Sequence, residues 1–160
     1  MLNFKIEQIA IAPPDPVAAE ELLTAMGAVE WAKDRVAASG EVFGVAGSNQ
    51  ADLAFNYDMF TPKREFEILH YISGPNWLAS GNRFGSVSHL GMHCSSEELE
   101  EWRKFFTGRG IRVAQEVFTE RHTNPVIDGK RWYNYVIFDT KHILGVDLKF
   151  IVRLAQPGAR

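Results

Sequence analysis

Two halves of this chain carry the same order of sequence patterns, and this repeat limits the possible folds more than any other feature. Each half reads as a strand, a helix and three further strands, at an offset of about 80 residues. Gln8 precedes Gly27 by 19 residues, and His89 precedes Gly108 by 19 residues. We therefore predict an α+β fold in which two βαβββ modules form a curved mixed sheet around a cleft, with the helices on the outer face.

Helix signals place one helix in each module. In the first module the capping carboxylate Asp15 precedes Pro16, which suits the first helical position. In the second module Ser95 and Glu98 have the spacing of a capping box, ahead of an apolar stripe that contains Trp102. We predict a single domain over residues 1–160, with module one at about 4–73, a linker at 74–85 and module two at about 86–152.

Short runs of apolar residues, bounded by turn residues, predict the strands. In the first module the runs are 4–12, 31–45, 51–57 and 64–72, and a turn near Ser39 and Gly40 would divide the second run. In the second module they are 86–94, 111–117, 131–140 and 145–152.

Composition excludes several classes of protein. The chain has 160 residues, 46% of them hydrophobic, which is enough for one compact core. A net charge of −3 gives no general attraction to nucleic acid or to an anionic membrane. No apolar run approaches the roughly 20 residues of a membrane-spanning helix, and the first residues lack a signal-peptide pattern. The single Cys94 allows no intrachain disulfide. We expect a cytoplasmic protein that binds a small molecule and neither nucleic acid nor membrane.

Four polar residues occupy matching places on the strands that begin and end each module. They are Gln8, Glu67, His89 and Asp147. Because side chains alternate between the faces of a strand, each lies opposite the apolar face that would pack on the helices. Plainer explanations exist for each one: a histidine or glutamine bonded to the backbone, Glu65 in place of Glu67, or Asp147 paired with Lys149 or Lys5.

The four strands that carry these residues read FKIEQIAIA, EFEILHY, SVSHLGMHC and LGVDLKFI. They resemble the first and last strands of each module in the vicinal-oxygen-chelate superfamily, which includes glyoxalase, bleomycin-resistance and extradiol dioxygenase proteins. The resemblance covers nearly the whole chain and is closest, in site pattern, to glyoxalase I. It implies a metal site made of Gln8, Glu67, His89 and Asp147. The sequence departs from the pattern at Asp147, where glutamate is usual.

This resemblance implies a metal-dependent lyase or isomerase that acts on a small carbonyl or thioester substrate. Zn, Ni, Mn, Co or Fe would suit three oxygen donors and one imidazole. Such an ion stabilises the enediolate that forms when a neighbouring proton leaves, and a carboxylate beside it removes that proton. Glu67 or Asp147 would be that base, and His89 would be the most dependable ligand.

Several further residues are candidates for substrate contact. They are His122, Tyr133, Asn134 and Arg83. Lys130 and Arg131 are additional candidates for an anionic substrate, although solvated surface positions are the default for both.

Two other functions stay open. The first is a metal-free module that binds a small ligand, as the bleomycin-sequestering members do, and a large aromatic cleft would favour it. The second is an extradiol dioxygenase relative, which needs two histidines and a carboxylate on iron. Gln8 stands where that family has histidine. The resemblance also implies a homodimer.

Overall fold

The computed structural model describes residues 2–60, 64–80, 87–121 and 130–155, without the side chain of Arg121. The strands are β1 Gln8–Ile11, β2 Ala32–Val42, β3 Val45–Asn56, β4 Glu65–Ser73, β5 Val87–Cys94, β6 Val113–Arg121, β7 Arg131–Phe138 and β8 Asp147–Leu154. The helices are α1 Pro16–Ala25, α2 Trp77–Ser80, α3 Ser96–Thr107 and α4 Lys141–Leu144. Residues 2–73 are called the first half below, and residues 87–155 the second half.

The two longer helices begin at the predicted caps. The Asp15 carboxylate accepts hydrogen bonds from the backbone N–H groups of Val17 and Ala18, each at 3.0 Å. At the start of α3, Ser95 Oγ accepts from the Glu98 N–H, and the Glu98 carboxylate accepts from the Ser95 N–H. Each cap satisfies backbone donors that the first turn of a helix leaves unpaired, which is why the helices start at these residues.

β2 and β3 form one long antiparallel hairpin. Ser39 and Gly40 both pair with β3 within this ladder, so the predicted turn near them is wrong. The chain turns instead at Phe43 and Gly44, which have φ angles of 48° and 78°. Positive φ at both central residues is the requirement of a two-residue hairpin turn that follows the natural twist of the strands.

The eight strands close into a barrel in the order β1-β4-β3-β2-β6-β7-β8-β5. The α+β class and the mixed sheet are therefore confirmed, but the sheet closes on itself instead of curving around an open cleft. Closure occurs where residues 38–42 of β2 pair with residues 115–119 of β6. Gly40 makes this pairing possible, because a Cβ there would lie 2.1 Å from Glu116 O and 2.8 Å from Val117 Cα. A glycine that resembles a turn signal is thus used for close contact between strands.

α1 and α3 lie on the outer face of the barrel and pack against it very differently. α3 buries Leu99, Trp102 and Phe106 against the second half. The Trp102 ring lies 5.3 Å from the ring of Phe150 on β8. α1 has no buried residue and contacts the first half through Ala19 and Leu23.

The predicted linker contains α2, which contributes to the core. Trp77 and Leu78 are each 1% exposed and join an apolar cluster with residues of the first half and with Ala114 and Ile137 of the second. Residues 81–85 of the predicted linker lie outside the described residues. Across the described parts of the chain, no helix is long and apolar enough to cross a membrane.

Candidate functional site

The barrel contains a cavity of about 1000 Å³ with a mainly apolar wall. Seven aromatic side chains line it: Trp31, Phe55, Tyr57, Tyr71, Trp77, Tyr133 and Tyr135. An eight-stranded barrel has room for its own side chains or for one small ligand. A cavity of this volume, with an aromatic wall and a few convergent polar groups, is typical of a small-molecule site.

Four polar side chains from β1, β4, β5 and β8 meet at the cavity. They are Gln8, Glu67, His89 and Lys149, all of them buried. Lys149 Nζ donates to Glu67 Oε2 at 3.2 Å, and His89 Nε2 lies 3.9 Å from the same oxygen. His89 Nε2 also lies 2.9 Å from Gln8 Oε1. The structure therefore brings together three of the four residues predicted to bind a metal, and it adds a lysine.

Glu65 determines how the amide of Gln8 is oriented. A carboxylate can only accept, so the Gln8 Nε2 group faces Glu65 and donates to it. The Gln8 oxygen then faces His89, and the shared hydrogen must belong to His89 Nε2. His89 Nδ1 carries no hydrogen in this neutral form, and it lies 3.1 Å from Ser88 Oγ. Ser88 Oγ has one hydrogen, which it can donate either to His89 Nδ1 or to Ala10 O, also at 3.1 Å.

Burial and charge change the titration of two groups at the cavity. The pKa of His89 lies well below its ordinary value of 6.5, first because burial disfavours the imidazolium and second because Lys149 is positively charged. Burial also raises the pKa of Tyr71, and the negative charge of Glu67 adds to that rise. The Tyr71 oxygen accepts a hydrogen bond from Gln115 Nε2 at 2.9 Å. His89 is therefore neutral and Tyr71 a neutral phenol at pH 7.

Asp147 has a different set of partners. Its Oδ2 accepts from Trp77 Nε1 at 3.1 Å, and its Oδ1 accepts from the backbone N–H groups of Thr140 and Lys141. The Trp77 ring lies 5.8 Å from the His89 ring, so Asp147 fixes the aromatic wall beside the histidine. Asp147 thus joins α4, α2 and β8, whereas the predicted metal site would direct it into the cavity.

The strand register shows which residues of the two halves are equivalent. Where β1 meets β5, Ile9 pairs with Leu90, and a two-fold axis at that pair exchanges Gln8 with His89 and Ala10 with Gly91. On the neighbouring strands, Glu65 pairs with Gln8, and Asp147 pairs with His89. Likewise, Glu67 pairs with Ala10, and Lys149 pairs with Gly91. The counterpart of Glu67 is therefore Lys149, and the counterpart of Asp147 is Glu65.

The residues present do not fit a divalent metal. The fourth position around Glu67 holds an ammonium group, which repels a cation and cannot coordinate one. The imidazole would need to give up its hydrogen bond to Gln8 before Nε2 could bind a metal. Within the described ranges, no three His, Cys, Asp or Glu side chains are grouped as a metal site. The predicted ligand role of Asp147 would further require it to leave Trp77.

The residues predicted to contact substrate are placed differently from one another. Tyr133 lines the cavity, and its ring stacks on that of Tyr135 at 5.6 Å. Asn134 lies on the opposite face of β7, where its Nδ2 donates to Glu116 Oε1 at 2.9 Å. His122 and Arg83 lie outside the described residues.

Sequence reasoning missed the importance of Lys149 and Trp77. Strand alternation put Lys149 on the same face as Asp147, and that was the available signal. Alternation did not show whether Asp147 or Lys149 would lie opposite Glu67, since this depends on the register between β5 and β8. Trp77 stood in a segment interpreted as a linker, although a tryptophan next to Leu78 is an apolar pair that a solvated linker seldom contains.

Comparisons with known proteins give a fold relative and no family. No protein-family model matches this chain, and no curated protein matches it. Its structure is similar to the crystal structure of a hypothetical protein from Bacillus halodurans, with a TM-score of 0.51 and 15% sequence identity. The similarity covers 95% of this chain and 96% of that one. At this identity the likeness concerns the fold alone.

Proposed function

We propose that this protein binds one small, largely apolar molecule inside the barrel, without a divalent metal. The observation that carries the proposal is the Lys149–Glu67 ion pair, at 3.2 Å, in the wall of an aromatic cavity of about 1000 Å³. The ion pair occupies the place where the resemblance implies a metal. The metal-free binding module considered from the sequence is therefore the function that the geometry supports best.

The polar cluster suits a ligand with one oxygen acceptor at its end. Glu67 accepts one of the three N–H bonds of the Lys149 ammonium group, and Lys149 has no second acceptor among the described residues. A carbonyl or hydroxyl oxygen of a ligand would fill that need. The aromatic wall supplies the apolar contact area, which contributes most of the affinity in sites of this kind.

A neutral fluorescent probe tests the proposal directly. N-phenyl-1-naphthylamine becomes strongly fluorescent in apolar cavities, and we expect it to bind with one site per chain. Ala38→Phe places a ring inside the cavity, since Ala38 lines it. We expect this change to weaken binding by about tenfold or more, because a filled cavity excludes the probe. Ala46→Phe, the same change at an exposed position of β3, is the matched control and should bind normally.

Elemental analysis separates this proposal from the metal-dependent lyase or isomerase. We expect the probe to bind equally well before and after treatment with a chelator, and purified protein to bind Zn, Ni, Mn or Fe weakly. The metalloenzyme stays a prediction that requires Lys149 to leave Glu67. One tightly bound ion per chain, lost in His89→Ala, would establish that prediction and end the metal-free proposal. Probe binding that Ala38→Phe leaves unchanged would also contradict the proposal.

A further inference from the structure

The wall formed by β6, β7 and β8 carries three arginines at one end of the strands. The register pairs Arg131 of β7 with Arg121 of β6, and Tyr133 of β7 with Arg153 of β8. Strand alternation puts Arg131 on the same face as Tyr133, and Arg153 on the same face as Ile151. Both Tyr133 and Ile151 line the cavity. Arg131 and Arg153 therefore lie on the inner face of their strands, one step beyond Tyr133 and Ile151 at the end of the cavity, where Arg131 is buried and Arg153 is exposed.

The side chain of Arg131 is buried, and its positive charge has no hydrogen-bond acceptor among the described residues. It is 4% exposed, and its Nε and both terminal nitrogens have no hydrogen-bond partner within the described part of the chain. A buried charge is normally paired, and a buried guanidinium with no acceptor is strongly unfavourable. A buried polar group that lacks a partner needs a water, an ion or a ligand to satisfy it. The default expectation that Arg131 is a solvated surface residue is wrong.

Among the described residues, no carboxylate pairs with Arg131. The nearest acid along the paired strand is Glu120, on the outer face of β6, where it binds Lys130 at 3.1 Å and Trp132 Nε1 at 2.9 Å. The carboxylates that line the cavity among the described residues all belong to the first half, and none of them accepts a hydrogen bond from Arg131. Lys149, by contrast, has Glu67 as its counter-ion. Lys149 thus has a counter-ion, whereas Arg131 has none among the described residues, so Arg131 is the cation that would attract an anion.

We propose that Arg131, with Arg153 beside it, binds the anionic group of the molecule in the cavity. The ligand would then be an apolar or aromatic compound that carries one carboxylate, sulfonate or phosphate. This inference rests on the proposed function. The stacked rings of Tyr133 and Tyr135 lie between the two cations, and Lys149 Nζ lies 4.9 Å from the Tyr135 ring. The ligand body would lie along the tyrosines, with its oxygen acceptor towards Lys149 and its anion at Arg131.

Two probes that differ by one sulfonate test this inference. 8-Anilinonaphthalene-1-sulfonate is the anionic counterpart of N-phenyl-1-naphthylamine. We expect Arg131→Met to weaken binding of the anionic probe by about tenfold or more, since a charge-assisted contact is lost. Binding of the neutral probe should stay unchanged. Arg112→Met is the matched control, because Arg112 is an exposed residue paired with Asp139, and it should affect neither probe.

A melting experiment without probe separates an anion site from a structural role. We expect Arg131→Met to melt at a higher temperature than the wild type, because the change removes a buried charge that has no partner. Arg131→Lys, which keeps the positive charge, should keep much of the preference for the anionic probe. The inference is overturned if Arg131→Met weakens both probes equally, weakens neither, or melts at a lower temperature. The proposed function fails differently, when Ala38→Phe leaves binding of both probes intact.

Discussion

The first half of the barrel supplies carboxylates to the cavity, whereas the second half supplies cations and histidines, although both halves have the same strand order. Among the described residues, the lining carboxylates are Glu7, Glu30, Asp58, Glu65 and Glu67, and Arg64 is the one cation that accompanies them. The second half contributes Lys149, His89 and His93. The repeated backbone therefore fixes where polar groups stand and leaves their charge free to differ.

The two outer helices show a second difference of the same kind. α3 buries three large side chains, but α1 buries none, and its Val17 and Leu22 are more than half exposed. Equivalent elements thus contribute unequally to stability. Most of the outer hydrophobic core belongs to the second half, because α3 has aromatic residues at the spacing that faces the sheet and α1 has no aromatic residue.

Substitution of Lys149 tests the charge difference between the two halves most strongly. Lys149→Met leaves Glu67 buried without its cation, and we expect a loss of about 3–5 kcal/mol in the free energy of unfolding. Lys33→Met is the matched control, because Lys33 pairs with Glu20 at the surface, and it should cost less than about 1 kcal/mol. Chemical denaturation measures both. The double variant with Glu67→Leu should regain most of the loss, and a failure to do so would show that the ion pair is not the cause.

Truncation of one apolar residue in each outer helix would measure how unequally α1 and α3 contribute to stability. Trp102→Ala removes a 7%-exposed ring from the outer core, and we expect a loss of about 3 kcal/mol. Leu22→Ala changes a side chain that is 63% exposed, so its effect should stay within about 0.5 kcal/mol. Equal losses in urea denaturation would mean that α1 is packed in solution by a surface absent from the single chain.

A substitution at Gly40 tests the junction between the halves, where β2 pairs with β6. Gly40→Ala places a Cβ against the β6 backbone, and we expect a loss of about 2 kcal/mol because a strand must move. Ser39→Ala, on the adjacent exposed position of β2, should be close to neutral. A Gly40→Ala protein with unchanged stability would argue against closure of the barrel at this junction.

The smallest expected effect is the pH dependence that His89 introduces. Its depressed pKa means that the unfolded chain takes up a proton at higher pH than the folded protein does. Stability is therefore fully present above 6.5, the ordinary pKa, and is lost as the pH falls towards the folded value. We expect a slope of up to about 1.4 kcal/mol per pH unit in this range, which His89→Gln abolishes. His93→Gln, at a half-exposed position on the same strand, should retain the slope.

The sequence predicted the strands and their faces better than it predicted the contacts between strands. Alternation correctly put Gln8, Glu67 and His89 on the inner side, because the side-chain period of a strand depends only on local residues. Which residue faces Glu67 depends on a two-residue choice of register, so Asp147 and Lys149 were indistinguishable from sequence. Barrel closure was equally hidden, since it depends on contact between Gly40 and a strand far along the chain.

Closure also determines when this fold can be completed during synthesis. The hairpins β2–β3 and β6–β7 are local and can form quickly, but β1–β5 and β2–β6 join segments that are distant in sequence. As the chain leaves the ribosome, β1 and β2 must wait with unpaired edges until the second half emerges. Exposed strand edges recruit other chains, so the nascent first half is the stage at which aggregation competes with folding. Slow refolding, limited by these distant pairings, is the expected cost of a barrel built from two halves.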